Sequence, residues 1–315
     1  MSRTSKSPRK VALVALDVGK EALPEYSHRF SPKVFTQAQL FVCLVLKEFF
    51  KTDYRGLADI LADTPDLRQV IGLKKTPHFT TIQKASRRLL RNASVQRLLD
   101  ATVARARPRS RRKRRPRVRR AALDSSGFEA HHVSHYFVRR RAKGGKRWQT
   151  TTYKRFPKLA VLCDCDRHLI LWAVAERGPG PDITHFEQAL VGATGRVRLQ
   201  TLYADAGYDA EWVHVVGRDL LDVRTLIPAK IGRPTDKPPS GDYRRLMSQR
   251  LHTSNYGQRW QDETVFSMIK RRLGSAVNAR TYWSQCRALM LKALAHNLLV
   301  VLRAFHVPGL ALSAA

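Results

Sequence analysis

Acidic residues are scarce in this 315-residue chain: 25 Asp and Glu stand against 58 Lys and Arg, a formal net charge of +33. That shortage points to a polyanionic partner, nucleic acid first and an acidic membrane surface second. Cysteine is sparse as well. Cys43, Cys163, Cys165 and Cys286 build no disulfide framework and fit a reducing compartment, so the expected location is cytosolic. Long apolar runs are missing. The most apolar stretch, ALMLKALAHNLLVVLRAF, is interrupted by Lys292, His296, Asn297 and Arg303, too often for a span of ~20 apolar residues, so it predicts a buried amphipathic helix and no membrane partner. Near the start, VALVAL runs into Asp17 and Lys20 rather than a small-residue cleavage site. What remains is a globular composition, 43% hydrophobic and 26% charged, in a chain long enough for about two domains.

Residues 1–10 are basic and Ser-rich and are expected to be disordered. Residues 1–104 as a whole read as a helical N-terminal DNA-binding region. TQAQLFVCLVLKEFF is a largely buried helix entered at Ser31-Pro32 or Thr36, and YRGLADIL is a short amphipathic one, with Pro65 closing the turn after it. PHFTTIQKASRRLLRN is a basic helix N-capped by Thr80 or Thr81. Its apolar side carries Ile82, Ala85 and Leu89; Lys84, Arg87, Arg88 and Arg91 lie opposite, as in a DNA-contacting helix-turn-helix.

Residues 105–120 form a basic linker. Eleven of its sixteen residues are Lys or Arg, none is acidic, and Pro108 and Pro116 forbid a continuous helix. Like charges keep it extended. Arg111, Arg112, Lys113, Arg114 and Arg115 are expected to track phosphates.

Residues 118–305, followed by a tail at 306–315, carry the remaining pattern. VRRAALD reads as a strand ending at Asp124, with SSG as a turn, and FVRRRAKGGKRWQTTTYKR as a basic loop. LAVLCDC and LILWAVAE are two strands joined as a hairpin through Asp166, Arg167 and His168. Asp182 is expected to N-cap the helix ITHFEQALVGA. VRLQTLYA is a strand running into Asp205, a helix follows from about Asp209 to Leu220, and DVRTLIPAK is the last strand before a Gly/Pro/Lys-rich loop. Strands and helices in this order make an α/β fold, a mixed sheet flanked by helices. Asp124 and Asp205 fall at strand ends, where polar groups converge above an open sheet.

YGQRWQDETVFSMIK, residues 256–270, organises the rest. Wound as an α-helix at ~100° per residue, it places Tyr256, Arg259, Glu263 and Lys270 inside an arc of about 60°. Val265, Phe266, Ile269 and Leu273 form an apolar flank that docks on the sheet. A carboxylate braced between cations suits a site handling metal and phosphate, whereas Asp262 is turned ~100° away. Cys163, Asp164, Cys165, Asp166 and His168 crowd one hairpin without paired zinc spacings and read as structural. His131, His132 and His135 read as a polar loop, and Trp148, Trp172, Trp212, Trp260 and Trp283 mostly as core, with Trp148, in the basic loop, also a candidate to stack on a base.

These motifs resemble the DDE transposases of prokaryotic insertion sequences, specifically the group with a Y-x2-R-x3-E-x6-K signature, met here as Tyr256, Arg259, Glu263 and Lys270. The LD at Asp124 and LYADAGYD around Asp205 resemble that family's two other acidic motifs. The resemblance covers roughly residues 118–305, and residues 26–100 more loosely. It implies a ribonuclease H-like catalytic fold and two Mg²⁺ or Mn²⁺ ions held by Asp124, Asp205 and Glu263 as the catalytic acids. It also implies a homodimer acting on double-stranded DNA, the element's terminal inverted repeats and a target, in a prokaryotic nucleoid. The loop before the Glu263 helix is short where some relatives insert a β-rich domain. By this expectation Arg259 and Lys270 clamp phosphates and Tyr256 positions the strand. A non-catalytic DNA-binding regulator and a nuclease on the same fold share most of these features; strand joining separates them.

Overall fold

The computed structural model describes residues 6–108, 114–141, 148–229, 237–251 and 256–304. Order begins earlier than expected. Ser7 Oγ accepts the Lys10 N–H at 3.3 Å and Pro8 sits in the first turn of α1 (Pro8–Ala22), a pairing that starts a helix in spite of the basic surroundings. Thr36 opens α2 (Gln37–Phe49) through a reciprocal box with Gln39. Asp53 caps α3 (Tyr54–Asp63), and Pro65 begins α4 (Pro65–Ile71) rather than closing a turn, its missing N–H being one that a first helical residue does not need. His78, not Thr80 or Thr81, caps α5 (Phe79–Leu89). An unforeseen helix, α6 (Asn92–Ala106), leads into the sheet.

The strands are β1 (Arg117–Gly127), β2 (His135–Arg141), β3 (Trp148–Lys154), β4 (Phe156–Asp164), β5 (Leu169–Gly178), β6 (Arg198–Ala204) and β7 (Arg224–Leu226). Five form one mixed sheet in the order β5-β4-β1-β6-β7, antiparallel on the β5 side and parallel from β1 to β7. β2 and β3 pair separately as an antiparallel hairpin, so the expected basic loop is a ribbon. Interleaved with the strands are α7 (Phe186–Arg196), α8 (Glu211–Val215), an unforeseen α9 (Asp242–Arg250), α10 (Gln261–Leu273) and α11 (Tyr282–Ala304).

Helices cover both faces of the large sheet, which is why β4 reads as unbroken apolar sequence instead of alternating. Leu159, Val161 and Cys163 face α10, α11 and the N-terminal helices; Ala160 and Leu162 face α7 and α8. The first of these cores runs without a break from α1 and α2 to α11. Among the described residues α11 is the one helix long and apolar enough to cross a membrane, yet 78% of that window is buried inside the fold. It is a core helix.

Asn297, fully buried on α11, ties this helix to the sheet where the β4–β5 register slips between Leu162 and Cys163. Its Oδ1 accepts the Ile170 N–H at 2.8 Å, and its Nδ2 donates to Ile170 O at 2.8 Å and Thr102 Oγ1 at 3.1 Å. Asn297→Ala strands these groups out of water and is expected to cost about 2–4 kcal/mol, read as a lower urea midpoint at unchanged slope.

Candidate active site

β6 ends at Ala204, paired with Leu123, and from there β1 runs on against β4 alone. Ser125 and Ser126 pair with Ala160 and Leu159, so the expected turn after Asp124 is strand. Asp205 continues β6 in extended conformation (φ −79°, ψ 175°). Asp124 and Asp205 therefore stand side by side on neighbouring strands, backbones about 5 Å apart. Oδ1 of Asp205 accepts the Gly207 N–H at 2.8 Å and caps the turn Ala206–Tyr208.

The signature helix differs from expectation at its start. Tyr256–Trp260 is a 3₁₀ turn, and α10 begins only at Gln261. In a 3₁₀ turn residues three apart eclipse, so Tyr256 and Arg259 still point the same way. Tyr256 Oη donates to Ala204 O at 3.0 Å, fastening the turn to the end of β6; burial pushes this phenol up to about 12 and keeps it a donor. Arg259 reaches two acids at once: Nη1 lies 3.4 Å from Asp124 Oδ2, and Nη2 donates to Glu263 Oε1 at 2.9 Å. Lys270 Nζ donates to Ser126 Oγ at 2.8 Å and lies 5.1 Å from the centre of the Phe128 ring.

The acids differ in exposure. Glu263 is 62% exposed, Asp124 only 18%. Burial, with the charge of Asp205 beside it, pushes the Asp124 carboxyl up to about 6, although the Ser125 N–H at 2.7 Å and Arg259 both favour its ionised form. Asp262 is fully buried and turned from this cluster. It accepts the Cys163 thiol at 2.6 Å, and burial raises it far above the ordinary carboxylate range.

One cluster escaped sequence reasoning. Asp182 does not cap a helix, since Pro181 precedes a 3₁₀ turn at Asp182–His185 and α7 starts after it. Its carboxylate instead pairs with the buried Lys158 and accepts Ser125 Oγ–H at 2.7 Å, next to Asp124. Lys158 Nζ also donates to Gly180 O at 2.8 Å and lies 3.4 Å from Glu176, itself 2.7 Å from His185. The signal was a lysine at the third position of an otherwise largely apolar strand.

The other expected residues lie elsewhere. Lys84 and Arg87 are exposed on α5, while Arg88 is half-buried with Nε directed at Gln37 Oε1, 3.3 Å away. Arg114 and Arg115 are exposed, the latter donating to Thr194 O; Arg111, Arg112 and Lys113 lie outside the described residues. Asp164 pairs with Arg107, Asp166 with Arg120 and His168 with Gln261, so that hairpin's polar groups brace the fold. Of the tryptophans only Trp172 is core. Trp212, Trp260 and Trp283 are 45–70% exposed, correcting the core assignment, and Trp148 is 50% exposed on the ribbon.

Among the described residues no three His, Cys, Asp or Glu side chains stand close enough to hold a metal ion as they are. The donor set still fits a hard divalent cation: carboxylates only, two of them adjacent, with a guanidinium already drawn between Asp124 and Glu263 as a stand-in counter-ion.

A five-stranded mixed sheet with helices on both faces, and acids where its central strands part, is the ribonuclease H-like arrangement. The family model of the transposase DDE domain matches residues 92–298, more than half of the chain, and the protein belongs to that family of DNA-acting transposases, whose members use divalent metal ions. No curated protein and no solved structure matches it.

Proposed function

We propose that the protein binds the terminal repeats of an insertion sequence, cleaves DNA at the element's ends and joins the 3′-hydroxyl ends to a target by metal-dependent phosphoryl transfer. The observation that carries this is Arg259, shared between Asp124 and Glu263 while Asp205 stands beside Asp124. Asp124, Asp205 and Glu263 would hold two Mg²⁺ or Mn²⁺ ions. When bound, such ions activate a water or 3′-hydroxyl and stabilise the leaving oxygen. Arg259 and Lys270 neutralise the phosphate at the carboxyl ends of the strands, and Tyr256, pinned to Ala204, fixes the turn that presents Arg259. Lys84, Arg87, Arg114 and Arg115 hold DNA further out, and a second copy holds the other end of the element.

Incubation with Mg²⁺, a plasmid and a pre-cleaved duplex end tests this. Covalently joined product is expected. Nicks without joining would make the protein a nuclease, and binding without either a regulator.

A further inference from the structure

The hairpin of β2 and β3 stands apart from both cores. β3 is exposed at every residue and β2 at all but Tyr136 and Val138, which are half-buried. The pairing of His135 with Lys154 and Arg141 with Trp148 puts Phe137, Arg139, Arg141, Trp148 and Lys154 on one face. There Phe137 is 70% and Trp148 50% exposed, and both guanidinium groups lie 5.4 Å from the Trp148 ring centre. The opposite face carries Tyr136 stacked on Tyr153, with Arg155 over Tyr136. A two-stranded ribbon is marginal in water by itself, and open aromatics add to the cost, so this one calls for a partner.

Its chemistry selects the partner. From Ala130 to Arg155 the sequence holds eight Lys or Arg and no acid. A second copy of the ribbon laid on the first would oppose like charges. A polyanion with flat, stackable groups matches cations interleaved with aromatics, and a two-stranded ribbon has the width of a DNA major groove.

Its root locates where that partner lies. β1 ends at Gly127, three residues past Asp124, about 10 Å along the strand. Phe128, beside Lys270, donates its N–H to Pro157 O at 2.8 Å, and Arg155 its N–H to Ser134 O at 3.0 Å. The ribbon thus springs from the same end of the sheet as Asp124, and its strands extend roughly 23 Å, less than one turn of duplex.

We propose that β2–β3 is an arm that grips duplex DNA within one helical turn of the bond held at Asp124, its Arg139 and Arg141 on phosphates and Trp148 and Phe137 against the groove. This rests on Asp124, Asp205 and Glu263 being a DNA-cleaving site, and the test separates the two.

Full-length protein is titrated with a labelled mixed-sequence duplex of roughly 40 base pairs, about four helical turns, over a series of salt concentrations. Arg139→Ala/Arg141→Ala should bind roughly ten- to a hundredfold more weakly, with the slope of log affinity against log salt reduced by about two. Arg139→Lys/Arg141→Lys should keep that slope, and Trp148→Ala should weaken binding at unchanged slope. All sites are exposed, and thermal melts check that each variant folds. Unchanged affinity and slope in the double alanine variant overturns the arm, as does a change in DNA-free molecular mass by light scattering, which would make the ribbon a contact between copies. Plasmid nicking by wild type with Mg²⁺ is scored separately. Its absence alongside an arm-dependent salt slope would defeat the cleaving site and leave a DNA-gripping ribbon.

Discussion

Asp124→Asn is expected to lower strand cleavage by roughly a thousandfold or more, to leave DNA binding close to wild type, and to make the metal-free protein more stable at neutral pH. The last outcome follows from the site's electrostatics. Asp124 is held at about 6 in the fold, against an ordinary 3.8, by burial and by Asp205. The folded chain therefore holds this proton more tightly than the unfolded one. The sign is fixed by that: the advantage of the protonated form is fully present below pH 4 and is lost as pH rises to 6, after which the ionised group costs about 3 kcal/mol. Asparagine removes the titration. Melts in a chelating buffer should show wild type losing stability from pH 4 to pH 6 relative to Asp124→Asn, whose advantage at pH 7.5 should be roughly 5 °C or more. Parallel pH profiles for the two proteins would show that Asp124 is not the strained acid of the cluster. Stability withheld at a charged site in the absence of its ligand is the usual cost of function.

The polar stripe was legible because three-residue spacing survives a change of helix type. Tyr256 and Arg259 align in a 3₁₀ turn as they would in an α-helix, and Glu263 and Lys270 follow on α10. The sheet was legible for a similar reason: strands covered on both faces leave apolar runs that punctuation by Gly, Pro and Asp marks off, as at GPGPD before α7. Less visible were elements whose signals compete. Ser125 and Ser126 look like a turn, yet β4 offers them a ladder and they take it. Residues 135–154 look like a loop because their charges dominate, although Tyr, Phe, Val and three consecutive threonines there carry strand propensity. α6 shows the apolar spacing Val95, Leu98, Leu99, Thr102 and Val103, but follows so closely on α5 that one basic stretch hides the boundary. No local pattern announces Asp182, Lys158 and Ser125 as partners: they come from three separate segments and meet only when the sheet forms.

The largest loss of stability should come from Lys292, a residue that in the sequence merely interrupts an apolar run. Its ammonium is 5% exposed, 3.1 Å from Glu48 Oε2, and donates to Leu273 O. Glu48, 6% exposed, also receives Lys47 at 2.6 Å. One buried cation thus joins α2, the last turn of α10 and α11, and with them the N-terminal helices to the side of the sheet bearing Asp124. Lys292→Met leaves the buried carboxylate with Lys47 alone and the Leu273 carbonyl without its donor, for an expected cost of about 3–5 kcal/mol in urea unfolding. The double variant Lys292→Met/Glu48→Leu should recover most of that, because the loss lies in the stranded charge rather than in the pair. Since α1, α2 and α11 share a continuous apolar core, both variants should unfold in one transition, with tryptophan fluorescence and circular dichroism coincident. An early, separate melting of the N-terminal helices would show that the ion pair joins two independent units, and an uncompensated double variant would place the energy in packing instead of charge.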